Sequence, residues 1–193
     1  MSKRICVFCG SSLGARAAYA DSARELARQL VANNVALVYG GGNVGMMGVL
    51  ADAMLAAGGE AIGVIPQFLV DREVAHTGLT ALHVVESMHE RKALMAEMAD
   101  AFIALPGGFG TFDEFCEVLT WSQIGLQHKP CGLLNVNGYY SPLLEMFERA
   151  EQEKFLRPQN RQILLADTDP AALVTKLLAW EPDHNRSLAR NRT

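Results

Sequence analysis

The stretch Ala101 to Trp121, AFIALPGGFGTFDEFCEVLTW, constrains this chain more than any other. Ala101 to Leu105 is a short apolar run behind Asp100, the pattern of a buried parallel strand. Pro106-Gly107-Gly108 stops it, and Gly110-Thr111 opens a helix with Phe112, Phe115, Val118 and Leu119 at its apolar positions. A strand, a glycine turn and a helix N-terminus together make an anion site, because bare backbone N–H groups and the positive end of the helix dipole converge there. Glycine alone lets the backbone come that close to a phosphate. Asp113 and Glu114 follow one turn behind, within reach of a sugar attached to that phosphate. The same residues also spell a capping box, with Thr111 as N-cap and Glu114 at the third helical position. Three glycines in four positions exceed what a cap requires, which favours the phosphate. The loop is not a Walker A motif, since no Lys follows Gly110, and its glycine spacing is wrong for the dinucleotide fingerprint. A nucleoside monophosphate fits it better than ATP or NAD.

Around this unit, strands and helices alternate along the chain, which predicts an α/β fold: a Rossmann-like, doubly wound parallel sheet in a single domain. Strands are expected at Ile5 to Phe8, Val35 to Tyr39, Glu60 to Ile65, Ala81 to Val85, Cys131 to Val136 and Ile163 to Ala166. Helices are expected over Tyr19 to Asn33, from near Gly45 to Ala57, and over Met88 to Met98 and Tyr140 to Glu153. A last helix starts with Asp169 as N-cap and Pro170 at its first position and runs to Trp180. Pro66 to Leu79 has no periodicity, and a loop of that length in a compact domain is usually functional or mobile. Residues 1–180 thus form the nucleotide-binding domain, and Glu181 to Thr193, of mixed charge and little apolar content, reads as a disordered tail.

In such sheets ligands bind outside the carboxyl ends of the strands, where the strand order reverses. That rim carries three glycine- and serine-rich loops, Gly10 to Gly14, Gly40 to Gly45 and Pro106 to Thr111. Any one glycine of Gly40 to Gly45 serves a tight turn as readily as a ligand. Arg91 falls in the first turns of its helix, where the dipole disfavours a cation, so it is a solvated side chain, an i,i+4 partner or a residue with another task. Met88, Met95 and Met98 are spaced as filler for a core or an interface.

A net charge of −4 argues against nucleic acid or an anionic membrane as the main partner. No apolar run reaches transmembrane length, and Lys3-Arg4 leads straight into the first strand without a signal peptide, so a cytoplasmic protein is expected. Cys6 and Cys9 form a C-x-x-C that ends a strand rather than opening a redox helix, and Cys116 and Cys131 complete no zinc site. Buried free thiols are the simpler reading.

At Pro106-Gly107-Gly108-Phe109-Gly110-Thr111-Phe112-Asp113-Glu114 the chain resembles the Lonely Guy family, the cytokinin-activating phosphoribohydrolases, whose signature is PGGxGTxxE. The resemblance continues through Met88-His89-Glu90-Arg91-Lys92, Leu119-Thr120-Trp121 and Gly132-Leu133-Leu134-Asn135-Val136-Asn137-Gly138-Tyr139-Tyr140. It implies hydrolysis of the N-glycosidic bond of AMP or an N6-substituted AMP, with no metal or organic cofactor, by a homodimer or larger assembly. It also implies Arg91 and Glu114 as catalytic residues. Substrate contacts are implied for Glu73, Arg91, Lys92, Gly107, Gly108, Phe109, Gly110, Thr111, Phe112, Asp113 and Thr120. Asp113 departs from the Glu that many relatives carry, with the charge kept. The alternative is a nucleotide or pterin-cofactor carrier on the same fold, which binds phosphate without turnover. A lysine decarboxylase label, also attached to sequences of this kind, calls for a pyridoxal Schiff base on a lysine. Of Lys3, Lys92, Lys129, Lys154 and Lys176, only Lys92 falls near the expected site.

Overall fold

A computed structural model describes residues 2–72 and 74–181. Glu73 lies outside them, as does the expected tail apart from Glu181. The elements in order are β1 (Lys3–Phe8), α1 (Ala17–Ala32), β2 (Val35–Tyr39), α2 (Gly45–Ala56), β3 (Ala61–Pro66), α3 (Gln67–Val70), β4 (Ala81–Val85) and α4 (Met88–Met98). They continue with β5 (Ala101–Ala104), α5 (Phe109–Gln123), β6 (Cys131–Leu134), a 3-10 turn at Val136–Gly138, α6 (Ser141–Gln152), α7 (Pro158–Arg161), β7 (Leu164–Asp167) and α8 (Pro170–Leu178). The seven strands form one parallel sheet in the order β4-β3-β2-β1-β5-β6-β7. The winding therefore reverses between β1 and β5, whose register pairs Ile5 with Ala101 and Phe8 with Ala104.

The alternation of side chains along the buried strands divides the core in two. Ile5, Val7, Leu37, Tyr39 and Ile103 face α1, α2 and α8 through Leu26, Leu30, Leu50, Met54 and Leu173. Cys6, Phe8, Val38, Phe102 and Ala104 face α4 and α5 through Met95, Ala96, Phe115 and Val118. With both faces covered, the strands are continuous apolar runs, and the doubly wound expectation holds. The methionines of α4 are part of this second layer: Met95 is fully buried, Met98 packs against it, and only Met88 is exposed.

Three stretches differ from the sequence reading. The 66–79 segment is not a plain loop: α3 forms its first turn, and a bridge between Gly42 and Ala75 ties its second half to the loop after β2. Helix α7 carries too few apolar residues for periodicity to reveal it. The strand expected from Cys131 to Val136 ends at Leu134, because Asn137 and Gly138 adopt positive φ, 51° and 72°, and turn the chain. That turn brings Tyr139 and Tyr140 under the loop after β5. The Tyr140 hydroxyl donates to Leu105 O at 2.6 Å and the Tyr139 hydroxyl donates to Gly107 O. Asn135 in turn accepts from the Tyr140 N–H at 2.7 Å. The run Asn135 to Tyr140 is thus a bracket that fixes where the glycine loop stands. As expected, Asp169 caps α8, its carboxylate accepting from the Ala171 N–H at 3.0 Å.

Candidate active site

The loops that follow β1, β2, β3 and β5 surround a cleft of about 400 Å³ at the carboxyl edge of the sheet, within the usual range for a small-molecule site. Two backbone hydrogen bonds draw them together. Gly10 N donates to Pro106 O at 3.1 Å, across the point where the winding reverses, and Met46 N at the start of α2 donates to Gly10 O at 3.0 Å. A third, from Asn43 N to Val74 O at 2.9 Å, holds the segment after α3 against the loop after β2.

At the rim stands the first turn of α5. This helix starts at Phe109 with Gly108 as N-cap, and no side chain caps it. The capping box that the spacing of Thr111 and Glu114 also allowed is therefore absent: Thr111 already lies inside the helix, and Glu114 is a turn too far along to reach back. A capping box with its return bond shifted by one residue forms instead at α4, where Ser87 Oγ accepts from the Glu90 N–H at 3.2 Å and the Glu90 carboxylate accepts from the N–H of Glu86, just before the N-cap, at 2.8 Å. The glycines of the rim differ in what they are for. A Cβ on Gly107 would overlap Thr111 Oγ1, so packing alone demands glycine there. Cβ atoms on Gly108 or Gly110 would meet nothing within 4 Å. Packing makes no demand at these two positions, and both line the cleft, so their bare backbone faces the space a ligand takes.

Beneath the rim lie two buried charges. Arg91 is 8 % exposed and Glu114 9 %. The Arg91 side chain leaves α4 for the ends of the sheet: Nε donates to Val64 O at 3.1 Å and Nη2 to Gly40 O at 3.1 Å. Charged hydrogen bonds of this kind contribute about 1.5–3 kcal/mol each, against about 0.3–1 kcal/mol for a cation misplaced in a helix dipole, so the strand carbonyls decide where Arg91 sits. A Cβ on Gly40 would overlap that guanidinium, which accounts for one glycine of the second loop on packing grounds alone. Nη1 stands 3.7 Å from Glu114 Oε1, close enough for attraction but too far for a direct hydrogen bond. Burial pushes the Glu114 carboxyl above its ordinary range. Arg91 opposes that, Asp113 adds to it, and smaller effects come from Lys92, which lowers it, and Glu117, which raises it.

Of the residues singled out from the sequence, the cleft gathers Arg91, Gly108, Phe109, Gly110, Thr111 and Glu114. Phe109 stands at its mouth, 93 % exposed. Gly107 lies behind the rim, packed on Gly10 and held by Tyr139. Lys92, Phe112, Asp113 and Thr120 are not on the cleft. Lys92 pairs with Asp113 at 3.1 Å and with Glu117 at 3.0 Å. Phe112 packs edge-on to the Tyr140 ring. The Thr120 hydroxyl donates back to Cys116 O at 2.8 Å and borders a separate hollow of about 150 Å³ with Phe147 and Leu156. The sequence reading missed the apolar wall made by Met47, Ile65, Leu69 and Val74. The length of the 66–79 segment and its lack of periodicity were the available signal. Cys9 is part of the floor, free and buried, its thiol pushed up by burial and by the Glu114 charge, and so is inert.

Residues 47–177 match the family model described as "possible lysine decarboxylase". The chain is 47 % identical over 188 residues to the probable cytokinin riboside 5'-monophosphate phosphoribohydrolase LOGL2 of Oryza sativa subsp. japonica, covering 97 % of this chain and 77 % of that protein. It is 48 % identical over 184 residues to the cytokinin riboside 5'-monophosphate phosphoribohydrolase LOG1 of Arabidopsis thaliana, covering 95 % and 86 %. Among solved structures it resembles the molybdenum cofactor carrier protein of Chlamydomonas reinhardtii at a TM-score of 0.69 and 23 % identity, covering 93 % of this chain and 100 % of that one. It resembles the molybdenum cofactor binding protein of Rippkaea orientalis at 0.70 and 20 %, covering 93 % and 99 %. At that level of identity the likeness shows the fold alone.

The raised Glu114 carboxyl has a consequence for stability. A carboxyl whose pKa is higher folded than unfolded favours the protonated native state; that contribution is complete below the unfolded value and is lost as pH rises through the folded one. Glu114→Gln cannot ionise, so it should unfold at no lower temperature than the parent at pH 7, with the difference shrinking toward pH 4. A cap would behave otherwise: its loss costs about 0.5–2 kcal/mol. Thermal unfolding of both proteins across that range decides the matter, and a variant less stable at pH 7 would contradict this view of Glu114.

Proposed function

The chain belongs to the family of cytokinin riboside 5'-monophosphate phosphoribohydrolases, and from that premise we propose how its cleft takes a purine nucleoside 5'-monophosphate and hydrolyses the bond between base and ribose. The products are the free base and ribose 5-phosphate, and the substrate is AMP or an N6-substituted, cytokinin-type AMP. One observation carries the assignment of roles: Glu114 has no capping duty and stands buried beside Arg91 under a rim of bare glycine backbone.

In this reading the phosphate binds at the first turn of α5, to the N–H groups around Gly108, Gly110 and Thr111, with Gly107 shaping the turn. That anchor supplies the remote binding energy that aligns the ribose below it. As the glycosidic bond lengthens, positive charge builds at C1' and the ring oxygen. The ionised Glu114 faces that charge and orients or deprotonates the attacking water, the role of a glycosidase carboxylate. Arg91 keeps Glu114 ionised despite its burial and holds the sugar and phosphate side or helps the departing base. Phe109 closes over the mouth. Glu73 is retained as a substrate contact on the resemblance, and Phe112, Asp113 and Thr120 support the site from outside the cleft.

Two other readings lack support. A carrier needs an anion site but has no use for a carboxylate at the sugar, and the likeness to carrier proteins is one of fold. Decarboxylation would require a lysine to hold pyridoxal phosphate. Among the described residues no lysine lines the cleft: Lys3 bonds to Leu178 O, Lys129 to Ala96 O and Lys176 to Asp167, Lys154 lies in the turn after α6, and Lys92 is held by two carboxylates. The residues present do not fit that group.

The four free cysteines, three of them buried, support a cytoplasmic location, where thiols stay reduced. No helix among the described residues is long and apolar enough to cross a membrane. A homodimer or larger assembly completes the reading. Its support is α6, which has no fully buried residue and leaves Met146 62 % exposed.

Product chromatography tests the activity. AMP should yield adenine and ribose 5-phosphate, while adenosine, lacking the anchor, is barely cleaved; equal rates on both would remove the phosphate from the α5 terminus, and tight AMP binding without product would make the protein a carrier. Sedimentation at micromolar concentration should give at least twice the 21.0 kDa of the chain, and a monomer would contradict the assembly.

A further inference from the structure

Arg91 and Lys92 are neighbours in the chain but leave α4 in different directions. A residue step of about 100° sends Arg91 to the strand ends and Lys92 to α5. The Lys92 side chain is only 13 % exposed, and its ammonium lies 3.1 Å from Asp113 and 3.0 Å from Glu117, one turn apart on α5. Glu114 sits between them in the sequence and turns the other way, into the cleft. Burial works to lower the pKa of Lys92, yet the hydrogen bonds and charges of Glu117 and Asp113 raise it overall, so it is a permanent cation.

We propose that Lys92 is not a substrate ligand but a positioning residue, which clamps α4 to α5 beside the Arg91–Glu114 pair and offsets the Asp113 and Glu117 carboxylates, and so sets the pH above which Glu114 works as the ionised carboxylate. The proposal rests on Glu114 being the ionising group of the hydrolysis described above. Every charged or titratable neighbour that acts on Glu114 enters the balance. Arg91 and Lys92 from α4 favour its ionised form, and Asp113 and Glu117 from its own helix oppose it. Cys6 in β1 and Cys9 just after it remain neutral thiols, held so first by burial and then by Glu114 itself. Lys92 is the one member that touches both opposing carboxylates. Its removal therefore strips a cation and exposes two anions in one step, all without a group leaving the cleft.

The test is the pH dependence of kcat/KM for AMP in the full chain, measured for the parent, Lys92→Met, Asp113→Asn and the double variant Lys92→Met/Asp113→Asn. The parent should lose activity on acidification with a midpoint above the ordinary carboxyl range. Lys92→Met should move that acid limb to higher pH, Asp113→Asn should move it to lower pH, and the double variant should bring it back toward the parent. KM for AMP on the plateau should stay near the parent value in Lys92→Met; a lysine bound to the phosphate would instead raise KM by about tenfold or more at every pH. An acid limb that Lys92→Met leaves in place, or a plateau KM raised to that extent, overturns the proposal alone. A parent profile flat through the acid range overturns the reading of Glu114 and the proposal with it. If Lys92→Met does not fold, the Asp113→Asn shift decides, and a limb that stays put or moves upward in that variant overturns the proposal.

Discussion

The guanidinium of Arg91 is the joint on which the site depends. It closes the carbonyl ends of β2 and β3, at Gly40 and Val64, and it presents its remaining charge to Glu114 on α5. Two halves of the sheet meet there, because β2 and β3 lie on one side of β1 and β5, which leads into α5, on the other. A buried carboxylate with no cation near it would simply protonate. With Arg91 at 3.7 Å, the desolvated Glu114 has beside it a cation that favours its ionised form. That is the condition under which a negative charge acts most strongly on a developing positive one.

The rest of the architecture serves that joint. The capping box at Ser87 and Glu90 aims the first turn of α4, and the Gly40 backbone leaves room for the guanidinium. On the other side, the Tyr139 and Tyr140 hydroxyls hold Gly107 and Leu105 from below, so the glycine rim keeps its place without side chains of its own. Leaving a buried carbonyl such as that of Leu105 unpaired would cost about 1–3 kcal/mol, which explains why a run as distant in the chain as Asn135 to Tyr140 bears on the site. The chemistry then requires little more than an anchored phosphate and an aligned water.

Much of this was legible in the residues. Continuous apolar runs such as Ile5 to Phe8 and Ala101 to Leu105, each with a glycine two residues beyond its end, announce strands buried on both faces. Asp169-Pro170 announces a helix start that forms as expected. What local pattern could not decide is which of two compatible hydrogen-bond schemes the fold selects. Thr111 and Glu114 have the spacing of a capping box, but the N-cap is Gly108, three residues before Thr111, and the carboxylate goes to the cleft. Ser87 and Glu90 have the same spacing, and there the box forms. Lys92 was illegible for a related reason: its neighbour Arg91 enters the cleft, and only the helical step sends the two side chains apart. The wall formed by Leu69 and Val74 depends on a bridge between Gly42 and Ala75, a long-range pairing that no local pattern records.

The charge of Glu114 is what the hydrolysis depends on in this reading, and one comparison isolates it. Gln in place of Glu114 keeps the shape and leaves the backbone N–H groups of the first turn of α5, the proposed phosphate donors, untouched. Measured by calorimetric titration with AMP and by single-turnover release of adenine, Glu114→Gln should bind AMP like the parent while its turnover falls by at least about a hundredfold, the scale of losing a preorganised electrostatic group. A folded Gln variant that releases adenine at the parent rate would contradict the account.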